Sequence, residues 1–403
     1  MSSTAATRHN GMHETGVQMG RLDQVVRQAV DDGVAPFLCA AIADRNGVRW
    51  QGAAGRATPD RDADADTVFR LFSATKAIGS VAALIAIDRG LLAMDTPAGE
   101  IDPAFDELQV LEAVTPDGPV FRRPRTRATL RHLLTHTQGQ SYDIFSPLML
   151  AYVRQTGLPG DLTGLWESLK YPLLFDPGEG FAYGIGTDWA GHLVATVAGR
   201  PIEDFVTDEI LEPLGMSSTV FEADGVRDRL ADVSLKTADG GFRPIEHGPP
   251  SRPELYHIGN ALYSTPTDYL RFLRFILNNG ELDGRRLVAA ETMRLAYTDQ
   301  TGDVKVPSPV LTSSRPDVCL DVELLPDTDF THTAMSFMNL NDVPGRRSAG
   351  SLTWGGVQHT LYWVDPRNDV TGVFFTQMLP FWDPALISVF EAFERAAYDE
   401  LAR

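Results

Sequence analysis

From Lys76 to Ile87 the chain reads KAIGSVAALIAI, apolar on nearly every side of a helix. A helix of that pattern has to be buried, so the fold must wrap it and take the lysine at its head inside. Three residues earlier, in Ser73-Ala74-Thr75-Lys76, stands a serine. Residues three apart on a helix share a face, which brings a hydroxyl and an amine together one turn apart. Burial disfavours the charged amine and lowers its pKa, so that it takes a proton near neutrality. The exposed amides and positive end of the first turn favour a developing oxyanion at Ser73. This combination makes a serine nucleophilic. The other lysines, Lys170, Lys236 and Lys305, have Glu167, Val233 and Gly302 three residues before them, so the spacing occurs once.

A chain of 403 residues is long enough for two intimately packed subdomains. Its 43% hydrophobic and 22% charged residues are those of an ordinary soluble globular protein. A formal charge of -19 argues against a nucleic-acid or anionic-membrane partner, both of which need clustered Lys and Arg, and favours neutral or cationic small molecules. The polar start MSSTAATRHNGMHETG lacks the apolar stretch of a signal peptide, and no run reaches the ~20 apolar residues of a membrane span. A cytoplasmic protein is expected, with residues 1–18 as a mobile tail. Cys39 and Cys319 stand in apolar surroundings and read as free buried thiols.

Periodicity sets the organisation. A helix is expected over Leu22–Asp32, then strands Pro36–Ala43 and Val48–Ala54 joined by Asp44-Arg45-Asn46-Gly47, a hairpin signal. The alternating Asp60, Asp62, Asp64 and Asp66 lack the internal glycine and closing glutamate of a calcium loop and read as a solvated loop. Residues 73–260 are helix-rich, with Pro and Gly loops at Thr115–Pro124, Asp176–Gly180 and Pro244–Pro253, and read as a mostly helical subdomain. Within it His132 and His136 have the spacing of zinc ligands, but no Glu follows His132 and no third ligand is apparent; helix-end hydrogen bonding fits better. Beyond lie a helix over Thr267–Leu277, strands Leu352–Val357, Thr360–Val364 and Val370–Gln377, and a closing helix Pro384–Leu401. One antiparallel sheet built from 19–72 and 261–403, with the helical part inserted, follows from this order.

Acyl transfer at Ser73 needs a proton relay and oxyanion donors. Tyr183 ends the glycine-rich loop Pro177-Gly178-Glu179-Gly180-Phe181-Ala182-Tyr183, which feeds a helix over Asp188–Val197. A phenol beside a cation gains phenolate character. In Trp354-Gly355-Gly356-Val357 the glycines allow another backbone to approach, with strand amides facing a bound carbonyl.

These stations together resemble the serine β-lactamase and penicillin-binding protein superfamily. The phrase Thr129-Leu130-Arg131-His132-Leu133-Leu134-Thr135-His136-Thr137, Tyr183 with Asp188 five residues on, and Trp354-Gly355-Gly356 in place of Lys-Thr-Gly are similar to one branch, the class C β-lactamase-related esterases. That branch includes family VIII carboxylesterases and the acyltransferase of statin biosynthesis. The resemblance, from about Arg21 to the last helix, implies a β-lactamase/transpeptidase-like α/β (α+β) fold. It implies Ser73 as the acylated nucleophile, Lys76 and Tyr183 as the general base pair, and the amides of Ser73 and Val357 as the oxyanion hole. Trp354, Gly355, Gly356, Tyr142 and Asp188 are the implied binding residues. Neither cofactor nor metal is implied; the substrate is a small ester or thioester, the acceptor water or an alcohol. Two departures point away from lactams. Tyr183-Gly184-Ile185 lacks the polar third residue of Tyr-Ser-Asn, and the third motif has lost the Lys and Thr that hold a lactam carboxylate. A β-lactamase or D-amino-acid peptidase is the alternative reading, and a non-catalytic binding module the third. The loops Gln140–Ile144, Tyr256–Tyr263 and Met378–Asp383 are expected to shape specificity through their aromatic residues.

Overall fold

The structure, a computed structural model, describes residues 20–401; the tail expected over 1–18 lies outside the described residues. It opens with helix α1 (Arg21–Asp31), the hairpin β1 (Phe37–Ala43) and β2 (Val48–Thr58), and a short β3 (Arg61–Asp62). The first hairpin closes as the Asn-Gly pair requires, with Asp44 Oδ1 accepting from the amides of Asn46 and Gly47. The acidic loop satisfies itself in the same way, Asp64 Oδ1 accepting from the Asp66 amide and the Thr67 hydroxyl.

A 3₁₀ turn, Phe72–Ala74, leads into helix α2 (Thr75–Asp88), which is buried continuously from Thr75 to Ala86. The segment that follows, expected to be mostly helical, carries two hairpins: β4 (Val110–Thr115) with β5 (Gly118–Arg122), the second strand falling in an expected loop, and β6 (Val233–Lys236) with β7 (Phe242–Ile245), running into the loop expected from Pro244. The first turns at Pro116-Asp117 and re-enters the ladder at Gly118, which has φ +128° and pairs with Thr115. The second tolerates Pro244 because β7 is an edge strand and needs no outer donor. Its helices include α3 (Leu130–Leu134), α4 (Pro147–Thr156) and α5 (Gly186–Ala198).

The chain then returns to the sheet through α6 (Pro266–Leu277), β8 (Phe330–His332), β9 (Phe337–Asn339), β10 (Leu352–Gly356), β11 (Thr360–Asp365), β12 (Val370–Phe375), β13 (Met378–Leu379) and α7 (Pro384–Leu401). Eight strands pair antiparallel in the order β8-β9-β10-β11-β12-β1-β2-β3, so the two ends of the chain meet at β12 and β1, with Cys39 opposite Phe375. Successive strand residues face opposite sides. Phe374 packs on Phe390 and Phe393 of α7 while Phe375 packs on Tyr269 of α6, which sets these helices on opposite faces. The remaining strand, β13, pairs parallel to β6 and ties the inserted segment to the sheet part.

One buried ionic cluster fastens α7. Glu394 is fully buried and accepts from Arg346 at 2.5 Å and from Arg347 at 2.8 and 2.7 Å. Burial works to raise its carboxyl, but Arg347 and Arg346 outweigh it and hold the group below the usual carboxylate range. Removing Glu394 strips the buried Arg347 of its ion pair and leaves Arg346 only Glu391, so Glu394→Ala is expected to cost about 3–5 kcal/mol. Guanidinium unfolding measures this, and a loss below ~1 kcal/mol would contradict the assignment.

Candidate active site

The turn carrying Ser73 is held under constraint. Phe72, immediately before it, has φ +45°, a left-handed conformation that a bulky residue keeps only when its surroundings enforce it. Its ring stacks on His247 at 5.3 Å, and Gln358 Nε2 donates to both the Nδ1 and the carbonyl of His247. The Leu71 carbonyl accepts from Thr360 Oγ1 at 2.8 Å, and the same hydroxyl accepts from the Gly356 amide at 3.1 Å. Gly356 lies so close that a Cβ there would stand 2.0 Å from the Leu71 oxygen. On the other side Tyr269 Oη donates to the Ala74 carbonyl at 2.8 Å. Ser73, half-buried, is thereby aimed into a cavity of about 440 Å³.

Lys76 Nζ lies 3.3 Å from Ser73 Oγ, 2.9 Å from Tyr142 Oη and 2.9 Å from the Gly259 carbonyl. Burial lowers its pKa to about 8, against the pull of Asp188 and Asp161 in the other direction. A neutral amine has one lone pair and two N–H groups. Those match the Ser73 hydroxyl as donor and the Gly259 and Tyr142 oxygens as acceptors. The ammonium meets the same three partners with three N–H groups, so a proton arrives without rearrangement.

Tyr183 enters differently from the expected base pair. Lys76 Nζ faces its ring, 5.1 Å from the centroid, and donates to the Tyr142 oxygen instead. The Tyr183 oxygen accepts from Trp354 Nε1 at 2.7 Å and shares a hydrogen bond with Ser73. Burial pushes this phenol far up, and the bonds to Ser73 and Trp354 offset only part of that. It is therefore a protonated phenol beside the Ser73 hydroxyl rather than a phenolate. The turn presenting it is braced by His136, whose ring lies 4.5 Å from that of Tyr183 and whose Nδ1 accepts from the Gly184 amide at 3.4 Å. His132 Nδ1 accepts from the Thr129 amide at the start of α3, the helix-end bonding expected, whereas His136 bonds to Gly184 instead.

Trp354, Gly355 and Val357 line the cavity from the sheet side, and Tyr142 from the helical side. Neither the Ser73 nor the Val357 amide donates to another group among the described residues, which leaves both available to an oxyanion. Two expected binding residues are elsewhere. Asp188 is buried behind Lys76, with Oδ1 accepting from the Gly259 amide at 2.7 Å, and Gly356 packs on Leu71 rather than facing the cavity. Residues that sequence reasoning did not single out also meet here: the Gly259 carbonyl on the lysine, Asp161 and Asn260 in the wall, and His247 under Phe72. Gly259 and Asn260 stand in the loop Tyr256–Tyr263 flagged for its aromatics, but no local pattern assigns them a role. Burial, with the carboxylates of Asp188 and Asp143, pushes Asp161 up to about 7. Arg315 also lines the cavity but is engaged by Asp317 at 2.8 and 2.6 Å.

Because the Leu71 oxygen is backbone and cannot swing aside, Gly356→Ala must move β10 or the Ser73 turn. Displacements on the ångström scale cost about 10²-fold in rate. The variant is expected to keep its circular dichroism while losing at least ~10-fold in the rate of Ser73 labelling by a fluorophosphonate; wild-type labelling would contradict the close approach.

The chain matches the family model described as Beta-lactamase over residues 22–387. It is 30% identical over 340 residues to Acyltransferase calJ of Penicillium decumbens, covering 82% of this chain and 80% of that one. It is 29% identical over 367 residues to lovastatin esterase of Penicillium rubens, covering 87% and 91%. Among solved structures, the LovD6 mutant of simvastatin synthase from Aspergillus terreus superposes with a TM-score of 0.82 at 27% identity, covering 97% of this chain and 100% of that one. A serine one turn from a buried lysine, on an antiparallel sheet flanked by helices, is thus matched along most of its length, and the chain belongs to the Beta-lactamase family.

Proposed function

We propose that this protein is a serine acyl-transfer enzyme: Ser73 takes the acyl group of a small ester or thioester and passes it to water or an alcohol. The observation that carries the reading is Lys76 Nζ, its pKa lowered by burial to about 8, placed 3.3 Å from the Oγ of Ser73, which lines the cavity. The amine takes the hydroxyl proton as Oγ attacks the carbonyl carbon. The carbonyl π pair moves onto oxygen, where the Ser73 and Val357 amides donate to it. On collapse the bond to the leaving oxygen or sulfur breaks, and the proton returns to that atom. Tyr183 relays it, with Trp354 Nε1 stabilising the phenolic oxygen as it gives up its own proton. Water or an alcohol repeats the sequence in reverse on the acyl-enzyme.

Relatives named as an acyltransferase and an esterase support both acceptors. The wall supports esters over lactams. Trp354 stands where a lactam carboxylate would need a cation, Arg315 is already paired with Asp317, and Asp143 and Asp161 bring carboxyl groups rather than cations. A lost charge-assisted hydrogen bond is worth roughly 1.5–3 kcal/mol, about ten- to a hundredfold.

A short-chain p-nitrophenyl ester is therefore expected to exceed a chromogenic cephalosporin in kcat/KM by at least ~10-fold, and added alcohol to divert acyl groups from water; a preferred cephalosporin would overturn the ester assignment. Lys76→Ala and Tyr183→Phe are each expected to lower kcat by at least ~100-fold with little change in KM, and not to add in the double variant. Steady-state kinetics checks this, and a Tyr183→Phe enzyme with normal kcat would remove the relay.

A further inference from the structure

Asp188 is explained neither as a binding residue nor as part of the chemistry above. It sits in the first turn of α5, five residues after Tyr183. Its Oδ1 accepts from the Gly259 amide at 2.7 Å, while the Gly259 carbonyl accepts from Lys76 Nζ at 2.9 Å. One residue is thus tied at one end to the carboxylate and at the other to the amine. A Cβ on Gly259 would stand 2.7 Å from Asp188 Oδ1 and 3.0 Å from Lys76 Nζ. Those contacts place the two side-chain ends within about 6 Å of each other, the range in which opposite charges act strongly.

The turn between them is clamped. Ile258, fully buried, fits where α2 and α5 carry glycines: a Cβ would lie 2.6 Å from it at Gly79 and 2.3 Å at Gly191. Gly259 cannot shift unless the two helices separate. The carboxylate's second oxygen, Asp188 Oδ2, is buried and without a hydrogen-bond partner. A cap for one amide does not need it, since an Asn oxygen would serve; a charge facing an amine does.

We infer that Asp188 is a positioning residue for the base: through Gly259 it holds Lys76 Nζ on Ser73 and governs the protonation of that amine. The inference rests on Lys76 being the base. The charged groups facing Lys76 are Asp188 and Asp161, which both raise it against burial. Around it also stand the protonated phenols of Tyr142 and Tyr183, and His136 and His257, which burial keeps neutral. Asp161 lines the cavity and is pushed up to about 7, whereas Asp188 sits behind the amine, tied to it through Gly259. Without Asp188 the amine falls further, is free at lower pH and becomes a weaker base.

The chain has four lysines, so ¹³Cε-lysine spectra follow Lys76 directly, assigned by its loss in Lys76→Ala. In the wild type Lys76 is expected to titrate near 8, with the acid limb of kcat/KM for an aryl ester at the same pH. Asp188→Asn keeps an acceptor for the Gly259 amide and removes the charge; the Lys76 titration and the acid limb are expected to move down together by about one pH unit. An unmoved titration in the folded variant overturns the inference, because a merely structural role predicts none. If Asp188→Asn does not fold, Gly259→Ala parts the amine from the carboxylate without altering either; the same downward shift is expected, and its absence overturns the inference. The acyl-enzyme reading is judged separately, by whether Ser73 is acylated in the wild type.

Discussion

A lysine amine held out of water against a serine hydroxyl is the constraint on which the structure depends. Burial alone would leave Lys76 a costly isolated charge. Three hydrogen bonds, to Ser73, Tyr142 and Gly259, and the Asp188 carboxyl behind it make its position tolerable, while burial lowers its pKa to about 8. None of these partners is supplied by α2 alone. Tyr142 comes from the loop after α3, Gly259 from the turn before α6, and the walls facing the substrate from β10. The antiparallel sheet and the inserted helical segment must therefore pack to within hydrogen-bonding tolerance for the site to exist. The bare α-carbons of Gly79, Gly191, Gly259 and Gly356 mark where they do so.

The sequence was most legible where the chemistry is periodic. The apolar run after Lys76 became α2, the Asn-Gly pair closed β1 and β2, and the alternating segments from Leu352 onward became β10 to β12. Ser73 and Lys76 were visible because one helical turn joins them. The hairpin β4–β5 was missed because proline and glycine outweighed a short strand signal in Thr115–Pro124, and β6–β7 because its strands are only four residues each. Contacts between remote segments were not visible at all. Nothing local tells that Tyr142 rather than Tyr183 takes the Lys76 hydrogen bond, or that Trp354 donates to Tyr183 across 171 positions. Asp188 was found as a spacing and misassigned as a contact, since spacing on a helix start does not say which side it faces.

Charge gives the cavity its selectivity. The chain is acidic overall, and the wall around Ser73 carries the carboxyl groups of Asp143 and Asp161, while Arg315, which also lines it, is already paired with Asp317. An anionic ring-fused lactam meets no free cation, whereas a neutral acyl chain meets the face of Trp354 and the apolar side chains beside it. The proposed preference for esters thus rests on which charges the wall leaves unpaired, and the proposed base on the burial of Lys76.

The central claim is that the chemistry passes through an acyl group on Ser73 Oγ. Intact mass after rapid acid quench of enzyme mixed with an activated ester tests it most directly, followed by peptide mapping. The account predicts a gain of one acyl group, found on the peptide containing Ser73 and absent in Ser73→Ala. Continued turnover with no adduct, or an adduct on another residue, would contradict it.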